Sequence, residues 1–224
     1  MKDYEKNITS FDSHPLVAHK MTKLRDINTG CKEFAEIITE LTILMGYEVL
    51  KDLKTKEVEI EAPLAHMTCP VLDETITIVP ILRAGLGMVD GLKTLIPNAR
   101  VGYVGMYRDQ ETLKPVTYYY KMPVDAEDSP AIIVDPALAT GGNIDATIDR
   151  LKEDGYKNIK VMSVFAGEEG VRLIHEHHPE VPVFCAAYIP GELNKDGFII
   201  TAAGDIGDRL NGTYGYKNAK PSKI

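Results

Sequence analysis

One segment in the middle of the chain, residues 131–143, constrains the fold most. It starts with the apolar run Ala131–Val134, continues with Asp135, and passes through small residues and a glycine pair into a helical pattern. A short apolar run without alternation is typical of a strand buried on both faces of a parallel sheet. Ligands of such sheets collect at the carboxyl ends of the strands, which is where Asp135 is expected.

The turn after Asp135 has the composition of an anion-binding site. Thr140, Gly141 and Gly142 lack bulk, so the backbone can approach a ligand closely. The free N–H groups and the positive dipole end of the next helix would face a phosphate there. Asp135 would then accept hydrogen bonds from hydroxyl groups of the same ligand. An ordinary strand-to-helix connection is the alternative, because short motifs also arise by chance.

The rest of the chain alternates apolar runs with helical patterns. This predicts an α/β fold with a mainly parallel sheet of about five strands covered by helices. Strands are expected at 75–82, 101–107, 131–134, 159–165, 183–187 and 198–201. Helices are expected at 29–50, from Met88 to a stop at Pro97, at 143–153 and at 167–177.

Two arginines also follow predicted strands. Arg83 has small neighbours that leave backbone amides open, and a planar guanidinium suits a diphosphate. Arg108 precedes a polar stretch between two apolar runs, which is typical of a hairpin lid. Because parallel strands end at one edge, Arg83, Arg108 and Asp135 are expected to face one crevice. Ordinary solvated arginines are the alternative for both.

Composition argues against several classes of protein. The 224 residues, 44% of them hydrophobic, suffice for one domain with a filled core. No apolar run approaches the roughly 18 residues that span a bilayer, and no signal-like region is visible, so a cytoplasmic protein without a membrane segment is expected. The formal net charge of −8 opposes non-specific attraction to nucleic acid.

Neither cysteines nor histidines suggest a metal centre. The three cysteines are far apart and are expected to be reduced and buried. His175, His177 and His178 are interpreted as a solvated helix end, because no carboxylate or cysteine follows at ligand spacing. No protein ligand for a metal is therefore assigned.

The segment Asp135–Asn143 resembles the phosphoribosyl-diphosphate (PRPP) motif of type I phosphoribosyltransferases, in the form found in the uracil phosphoribosyltransferase family. Further segments resemble that family in the same order along the chain, from about residue 14 to residue 213. They are 14–17 with 24–26, 57–64, the diphosphate-binding loop 81–88, the base of the flexible hairpin 106–113, and the base-binding segment 204–209.

The resemblance implies one phosphoribosyltransferase domain over residues 1–224. It consists of an amino-terminal arm and helix (1–55), a parallel sheet flanked by helices, a flexible hairpin and a carboxyl-terminal hood (198–213). The implied reaction transfers the phosphoribosyl group of PRPP to N1 of uracil, giving UMP and diphosphate in pyrimidine salvage. Mg2+ would be bound mainly through PRPP, and a homodimer or higher homo-oligomer is expected.

The resemblance also implies roles for individual residues. Asp135, Arg83, Arg108 and Asp205 would carry catalysis and bind PRPP. The 5-phosphate loop would consist of Pro136, Ala137, Leu138, Ala139, Thr140, Gly141, Gly142 and Asn143. Uracil would be bound by Ile199, Gly204, Asp205 and Ile206, largely through backbone groups that match its acceptor-donor-acceptor edge.

Three departures from the family pattern bear on these roles. The base loop reads Thr201-Ala202-Ala203 where the family has a proline and a glycine, the phosphate loop ends in Asn143 instead of serine or threonine, and Phe198 replaces a tyrosine. A phosphoribosyltransferase for another base is therefore an alternative. So is a PRPP-sensing or nucleotide-sensing regulator that binds RNA, although the acidic charge argues against it. Activation by a purine nucleotide such as GTP is left open.

Overall fold

The structure is a computed structural model that describes residues 4, 6–108, 115–124, 126 and 128–213. The helices in these residues are α1 Pro15–Arg25, α2 Cys31–Val49, α3 Leu86–Leu95, α4 Gly142–Glu153, α5 Glu168–His177 and α6 Ile206–Asn211. The strands are β1 Ile8–Ser10, β2 Thr55–Ala62, β3 Ala65–Leu72, β4 Thr77–Leu82, β5 Arg100–Val101, β6 Tyr103–Arg108, β7 Pro115–Lys121, β8 Ala131–Val134, β9 Ala137–Leu138, β10 Ile159–Gly167 and β11 Val183–Ile189.

One sheet organises the chain. Its order is β1-β11-β10-β8-β4-β6-β7, with β5 added to β4 and β9 added to β10. All pairs in it are parallel except β6 with β7, which confirms a mainly parallel α/β fold. The antiparallel pair forms the two arms of the predicted hairpin, and residues 109–114 between them lie outside the described residues.

The central strands are buried because helices cover both faces of the sheet. Every residue of β8 and β10 is buried, as the apolar sequence of β8 and the mostly apolar sequence of β10 predict, although β10 also buries Lys160 and Ser163. Alternate side chains enter two cores: Ile132 and Val134 pack with α1, α2 and α3, whereas Ile133 packs with α4 and α5. The described helices include none that is long and apolar enough to cross a membrane.

One predicted strand is wrong. Residues 198–201 form no strand, and only Ile199 makes an isolated bridge, to Leu193. The Asn194 side-chain oxygen accepts the N–H groups of Asp196 and Phe198 at 2.9 and 2.8 Å, and Gly197 adopts a φ of 81°. This turn uses the backbone groups that a strand ladder would need.

Several elements were not predicted from the sequence. They are β1, α1, the hairpin of β2 and β3, β9 and α6, and the predicted strand 101–107 is divided at Gly102 into β5 and β6. The cysteines are also less uniform than expected. Cys185 is buried, but Cys69 is partly exposed and Cys31 is exposed.

Candidate active site

Asp135 lies at the carboxyl end of β8, as predicted. Its Oδ1 accepts a hydrogen bond from the Ala137 N–H at 3.3 Å. Burial raises the pKa of this carboxyl group to about 7, because the surrounding protein desolvates the charged form and offers little compensating charge. An uncompensated carboxylate at a crevice is a candidate acceptor for ligand hydroxyl groups.

The loop after Asp135 is clamped to β10. The carbonyl oxygen of Pro136 accepts from the N–H groups of Val164 and Phe165 at 3.2 and 2.9 Å, and β9 continues the pairing. Gly141 then turns the chain with a φ of 87°, a conformation that favours glycine. A pocket of about 140 Å³ lies in this loop, lined by Asp135 and residues 137–144.

The pocket has the features of a phosphate site. Gly141 is the N-cap of α4 and provides no side-chain cap, and the first residues of α4, Gly142, Asn143 and Ile144, line the pocket at the positive end of the helix dipole. Its volume is well below the roughly 300 Å³ at which pockets begin to hold a whole drug-sized ligand. It therefore suits one end of a larger ligand, with the remainder extending across the edge of the sheet.

Two glycines near the start of α5 allow close approaches of other segments: Gly170 that of the phosphate loop, and Gly167 that of Ile199. A Cβ on Gly170 of α5 would lie 2.6 Å from the Ala139 carbonyl oxygen and 2.7 Å from Leu138 Cδ1. A Cβ on Gly167 would lie 3.2 Å from Ile199. Neither glycine lies in the segment 135–143 that resembles the PRPP motif. Both contact residues that are distant in the sequence, and the local sequence does not reveal such contacts.

Arg83 follows β4, the strand next to β8. Val134 pairs with Pro80, so Asp135 and Arg83 leave the sheet at the same edge, as predicted. Gly85 lets the loop fold tightly, because a Cβ there would lie 2.3 Å from the Val134 carbonyl oxygen. The Arg83 guanidinium donates to Asp208 Oδ1 at 3.0 Å and to Thr213 Oγ1 at 2.9 Å.

Arg108 is the last residue of β6, and β6 pairs with β4 through Leu82 and Gly105. Its backbone therefore lies at the edge that Arg83 shares. The adjoining hairpin residues, 109–114, fall outside the described part of the chain.

The carboxyl-terminal segment brings its candidate residues to the arginine loop. Asp205 caps α6, its Oδ1 accepting the Asp208 N–H at 2.8 Å. A Cβ on Gly207 would lie 3.7 Å from Ala84, so α6 packs on the loop that holds Arg83. Gly204 is exposed with a φ of 71°, which retains a left-handed turn beside the altered Thr201-Ala202-Ala203 sequence.

The two isoleucines of the candidate base site face the core. Ile199 and Ile206 are both buried in the hydrophobic core that α2 and α3 share with the sheet. Their side chains are thus packed against protein, and their backbone groups are what they can offer to a base. This placement fits the backbone recognition inferred from the sequence.

A buried arginine holds this segment to the amino-terminal helices. Arg209 donates to the carbonyl oxygens of Leu24, Ala203, Asp26 and Thr29 at 2.7, 3.2, 2.7 and 3.3 Å. Its guanidinium also lies 4.2 Å from the centroid of the Phe34 ring. The sequence gives no sign of this role, because the acceptors are backbone atoms of a distant loop.

The interpretation of the histidines as a solvated helix end is wrong for His178, which is only 3% exposed. Its Nε2 lies 3.2 Å from Asp145 and 3.7 Å from Asp149 on α4, and these potential ligand atoms lie within 4.8 Å of one another. Lys152 Nζ lies 2.7 Å from its Nδ1 and can only donate, which leaves the proton on Nε2 facing Asp145. The hydrogen bond between Lys152 and His178 thus links α4 to the end of α5, whereas His178 Nε2 lies near the two carboxylates without a hydrogen bond in the described part of the chain.

Comparisons with known proteins identify the family of the chain. The family model described as uracil phosphoribosyltransferase matches residues 11–213. The uracil phosphoribosyltransferase of Thermoanaerobacter sp. is 50% identical over 209 residues, covering 93% of this chain and 99% of that protein. That of Clostridioides difficile is 50% identical over 202 residues, covering 90% of this chain and 96% of its own.

Solved structures share the fold. A protein from Aquifex aeolicus superposes with a TM-score of 0.87 at 35% identity, covering 93% of this chain and all 100% of its own. The adenine phosphoribosyltransferase of Trypanosoma brucei, solved with AMP, pyrophosphate and ribose-5-phosphate, shares the fold at 12% identity, covering 89% of this chain and 88% of its own with a TM-score of 0.58. With the match over residues 11–213 and relatives at 50% identity, the chain belongs to the uracil phosphoribosyltransferase family.

Proposed function

We propose that this chain transfers the 5-phosphoribosyl group of PRPP to N1 of uracil, forming UMP and diphosphate in pyrimidine salvage. The observation that carries the proposal is the pocket lined by Asp135 and residues 137–144, at the sheet edge where the Arg83 loop and the carboxyl-terminal segment also lie. Family membership supports uracil as the acceptor base. No observation favours another base or an RNA-binding regulator.

The reaction is a displacement at the anomeric carbon. The bond from C1 to the diphosphate oxygen breaks with its electron pair leaving on diphosphate, the bond from C1 to N1 of uracil forms, and the N1 proton of uracil passes to solvent water. Asp135 would accept hydrogen bonds from the ribose hydroxyl groups, while Arg83 and Arg108 would bind the departing diphosphate. Catalysis then consists of positioning and charge stabilisation.

The 5-phosphate would lie in the pocket of residues 137–143, at the start of α4, where backbone N–H groups and the helix dipole favour an anion. Asn143 can still donate through its amide in place of the usual hydroxyl. Uracil would lie against the backbone of residues 204–206 and Ile199, with Asp205 on the PRPP side.

The Asp135 carboxylate at this sheet edge offers the kind of oxygen atom that suits Mg2+ bound mainly through PRPP. The cation prefers oxygen ligands and keeps several waters, and the desolvated Asp135 carboxylate would gain from a nearby positive charge. When bound, Mg2+ would neutralise diphosphate charge and so ease its departure. The protein residues that hold PRPP, led by Arg83 and Asp135, would position the ion indirectly.

The hairpin of β2 and β3 supports a homodimer or a higher homo-oligomer. Ile60 pairs with Met67, and the alternation puts Val58, Cys69 and Val71 on the same face. The other face carries Glu57, Glu59 and Glu61. Leu64 at its tip is fully exposed, as are large parts of Ile60 and Met67. A two-stranded ribbon with an uncovered apolar face gains most from a second copy of the chain.

Placing a charge on the apolar face should therefore dissociate the oligomer. We expect Met67→Glu to sediment as a species of 24.8 kDa at concentrations where the wild type is larger. Thr68→Lys, one residue away on the acidic face and opposite Glu59, is the control for adding a charge to the hairpin and should keep the wild-type mass. Identical masses for wild type and Met67→Glu would show that this face does not hold the assembly together.

A single domain over residues 1–224, working in the cytoplasm, completes the proposal. The three cysteines are unpaired, which fits a reducing compartment.

Gly170 offers a test of the phosphate loop that leaves the loop sequence unchanged. Gly170→Ala should raise the KM for PRPP about tenfold, because the new Cβ meets the Ala139 carbonyl oxygen and displaces the loop. Gly30→Ala is the control, since a Cβ at Gly30 has nothing within 4 Å. Steady-state kinetics should show the change in Gly170→Ala and not in Gly30→Ala. An unchanged KM in Gly170→Ala would contradict the packing argument.

The function is tested by measuring diphosphate release from PRPP and Mg2+ with uracil, other pyrimidines or purines as acceptor. Release that depends on uracil alone is the expected result. Release with another base would move the assignment to that base, and binding of PRPP without release on any base would favour a regulator.

A further inference from the structure

The Arg83 side chain, half-exposed at the crevice, is held by the carboxyl-terminal segment. Its Nη2 donates to Asp208 Oδ1 at 3.0 Å and its Nη1 donates to Thr213 Oγ1 at 2.9 Å. The Thr213 hydroxyl in turn donates to the same Asp208 oxygen at 2.8 Å, which closes a three-membered network. A long side chain that would otherwise sample many rotamers is thus fixed at two nitrogens.

Asp208 is itself firmly placed. Its carboxylate is only 15% exposed, against 53% for the Arg83 side chain. Its backbone N–H donates to Asp205 Oδ1 at 2.8 Å, and its carbonyl oxygen accepts from Thr213 N at 3.1 Å. The carboxylate can therefore impose an orientation on the arginine, while the arginine cannot easily move the carboxylate.

We propose that Asp208 is a positioning residue for Arg83, presenting its guanidinium to the diphosphate of PRPP. The inference rests on the proposed function, in which Arg83 binds diphosphate. A guanidinium has five N–H donors, and the network uses two of them. Three remain for the ligand, in a plane that Asp208 and Thr213 fix.

The alternative is that Asp208 withholds Arg83 from the ligand. A carboxylate beside a diphosphate also repels it, so removing Asp208 would then improve binding. The two roles predict opposite changes in PRPP affinity when Asp208 is removed: weaker binding if it positions Arg83, and tighter binding if it withholds Arg83. Asp208→Asn adds a further distinction, because it removes the charge but keeps an oxygen that can accept from Arg83.

The test is a double-mutant cycle with Asp208→Ala, Arg83→Ala and the double variant. Calorimetric titration with PRPP and Mg2+ measures binding, and steady-state kinetics give the KM values for PRPP and uracil. We expect Asp208→Ala to weaken PRPP binding about tenfold, because binding must then order the long Arg83 side chain that the network holds in the wild type. Asp208→Asn should recover most of that loss. In the Arg83→Ala background, Asp208→Ala should have no further effect.

The uracil KM separates positioning from a general disturbance. Asp208 lies on α6 beside residues 204–206, so distortion of this short helix would raise the KM for uracil as much as that for PRPP. We expect only the PRPP value to rise. Any of three results would overturn the proposal. They are additive effects of the two substitutions in the cycle, tighter PRPP binding by Asp208→Ala, and equal rises in the KM values for PRPP and uracil.

The binding cycle also distinguishes this proposal from the proposed function. A wild-type protein that binds PRPP but releases no diphosphate with uracil would contradict the function, while the cycle would still decide the role of Asp208. A wild-type protein that does not bind PRPP would contradict both.

Discussion

Asp135→Asn should lower kcat about a hundredfold and remove a pH dependence of PRPP binding that is centred near pH 7. The carboxyl group has a pKa raised to about 7 by burial, so it is largely protonated at pH 6 and ionised at pH 8. The ionised form accepts hydrogen bonds from ribose hydroxyl groups through both of its oxygens, and these charge-assisted bonds are stronger than bonds to the neutral acid. The fall in kcat corresponds to the loss of one interaction made with the reacting sugar.

The direction in which PRPP affinity changes with pH follows from the raised pKa of Asp135. Below pH 7, binding that requires the carboxylate must first remove a proton, so PRPP affinity should fall by up to about tenfold per pH unit. Above pH 7 the dependence should level off. The phosphates of PRPP also titrate. In Asp135→Asn, the pH dependence of binding that remains comes from those phosphates and not from residue 135. Titrations of both proteins between pH 5.5 and 8.5, in about 0.5-unit steps, therefore isolate the Asp135 contribution.

Stability provides the control for this variant. A carboxyl group whose pKa is raised in the folded state binds more protons there than in the unfolded chain, so its contribution to stability falls as pH rises from about 4 to about 7. Asp135→Asn removes that loss and should be at least as stable as the wild type at pH 8. Unchanged kcat in a folded Asp135→Asn protein would contradict the role given to this residue.

The parts of the fold that the sequence predicts are those specified by local patterns. The strand 131–134 and the phosphate loop after it lie in one continuous segment, where four apolar residues, one acid and a glycine turn suffice to define both. Arg83 was found for the same reason, since it directly follows an apolar strand. In each case the functional residue and the strand that positions it are adjacent in the chain.

The parts that were missed depend on distant partners. His178 is buried because Asp145 and Lys152 of α4 face it, contacts that no helical pattern near residue 178 reveals. Gly170 matters because Ala139 approaches it from another loop. The predicted strand at 198–201 has enough apolar residues, but the N–H group of its first residue, Phe198, donates to the Asn194 side chain. Apolar runs alone could not distinguish these cases.

Arg209→Ala should lower the free energy of unfolding by about 3 kcal/mol or more, since removing the guanidinium leaves several buried carbonyl oxygens without a donor. Those oxygens belong to Leu24, Asp26 and Thr29 in the amino-terminal region and to Ala203 in the base-binding segment. The contact with Phe34 is lost as well. Chemical denaturation followed by far-ultraviolet circular dichroism suits a chain that contains no tryptophan.

An exposed arginine on α5 gives the matched control. Arg172→Ala removes only a surface pair with Glu176, at 3.8 Å, and should change the unfolding free energy by less than about 0.5 kcal/mol. Arg209→Lys keeps the charge but cannot supply the planar fork, so an intermediate loss is expected. If Arg209→Ala were as stable as Arg172→Ala, the four hydrogen bonds of Arg209 could not be what holds the segment.

The same substitution should affect uracil more than PRPP. Ala203 immediately precedes Gly204, so losing the bond to its carbonyl oxygen loosens the backbone that would face the base. The 5-phosphate pocket belongs to the loop after β8, to which Arg209 makes none of these bonds. We therefore expect Arg209→Ala, assayed well below its unfolding transition, to raise the KM for uracil more than the KM for PRPP. This is the reverse of the pattern expected for Asp208→Ala, so adjacent residues of one short helix would serve the two substrates separately.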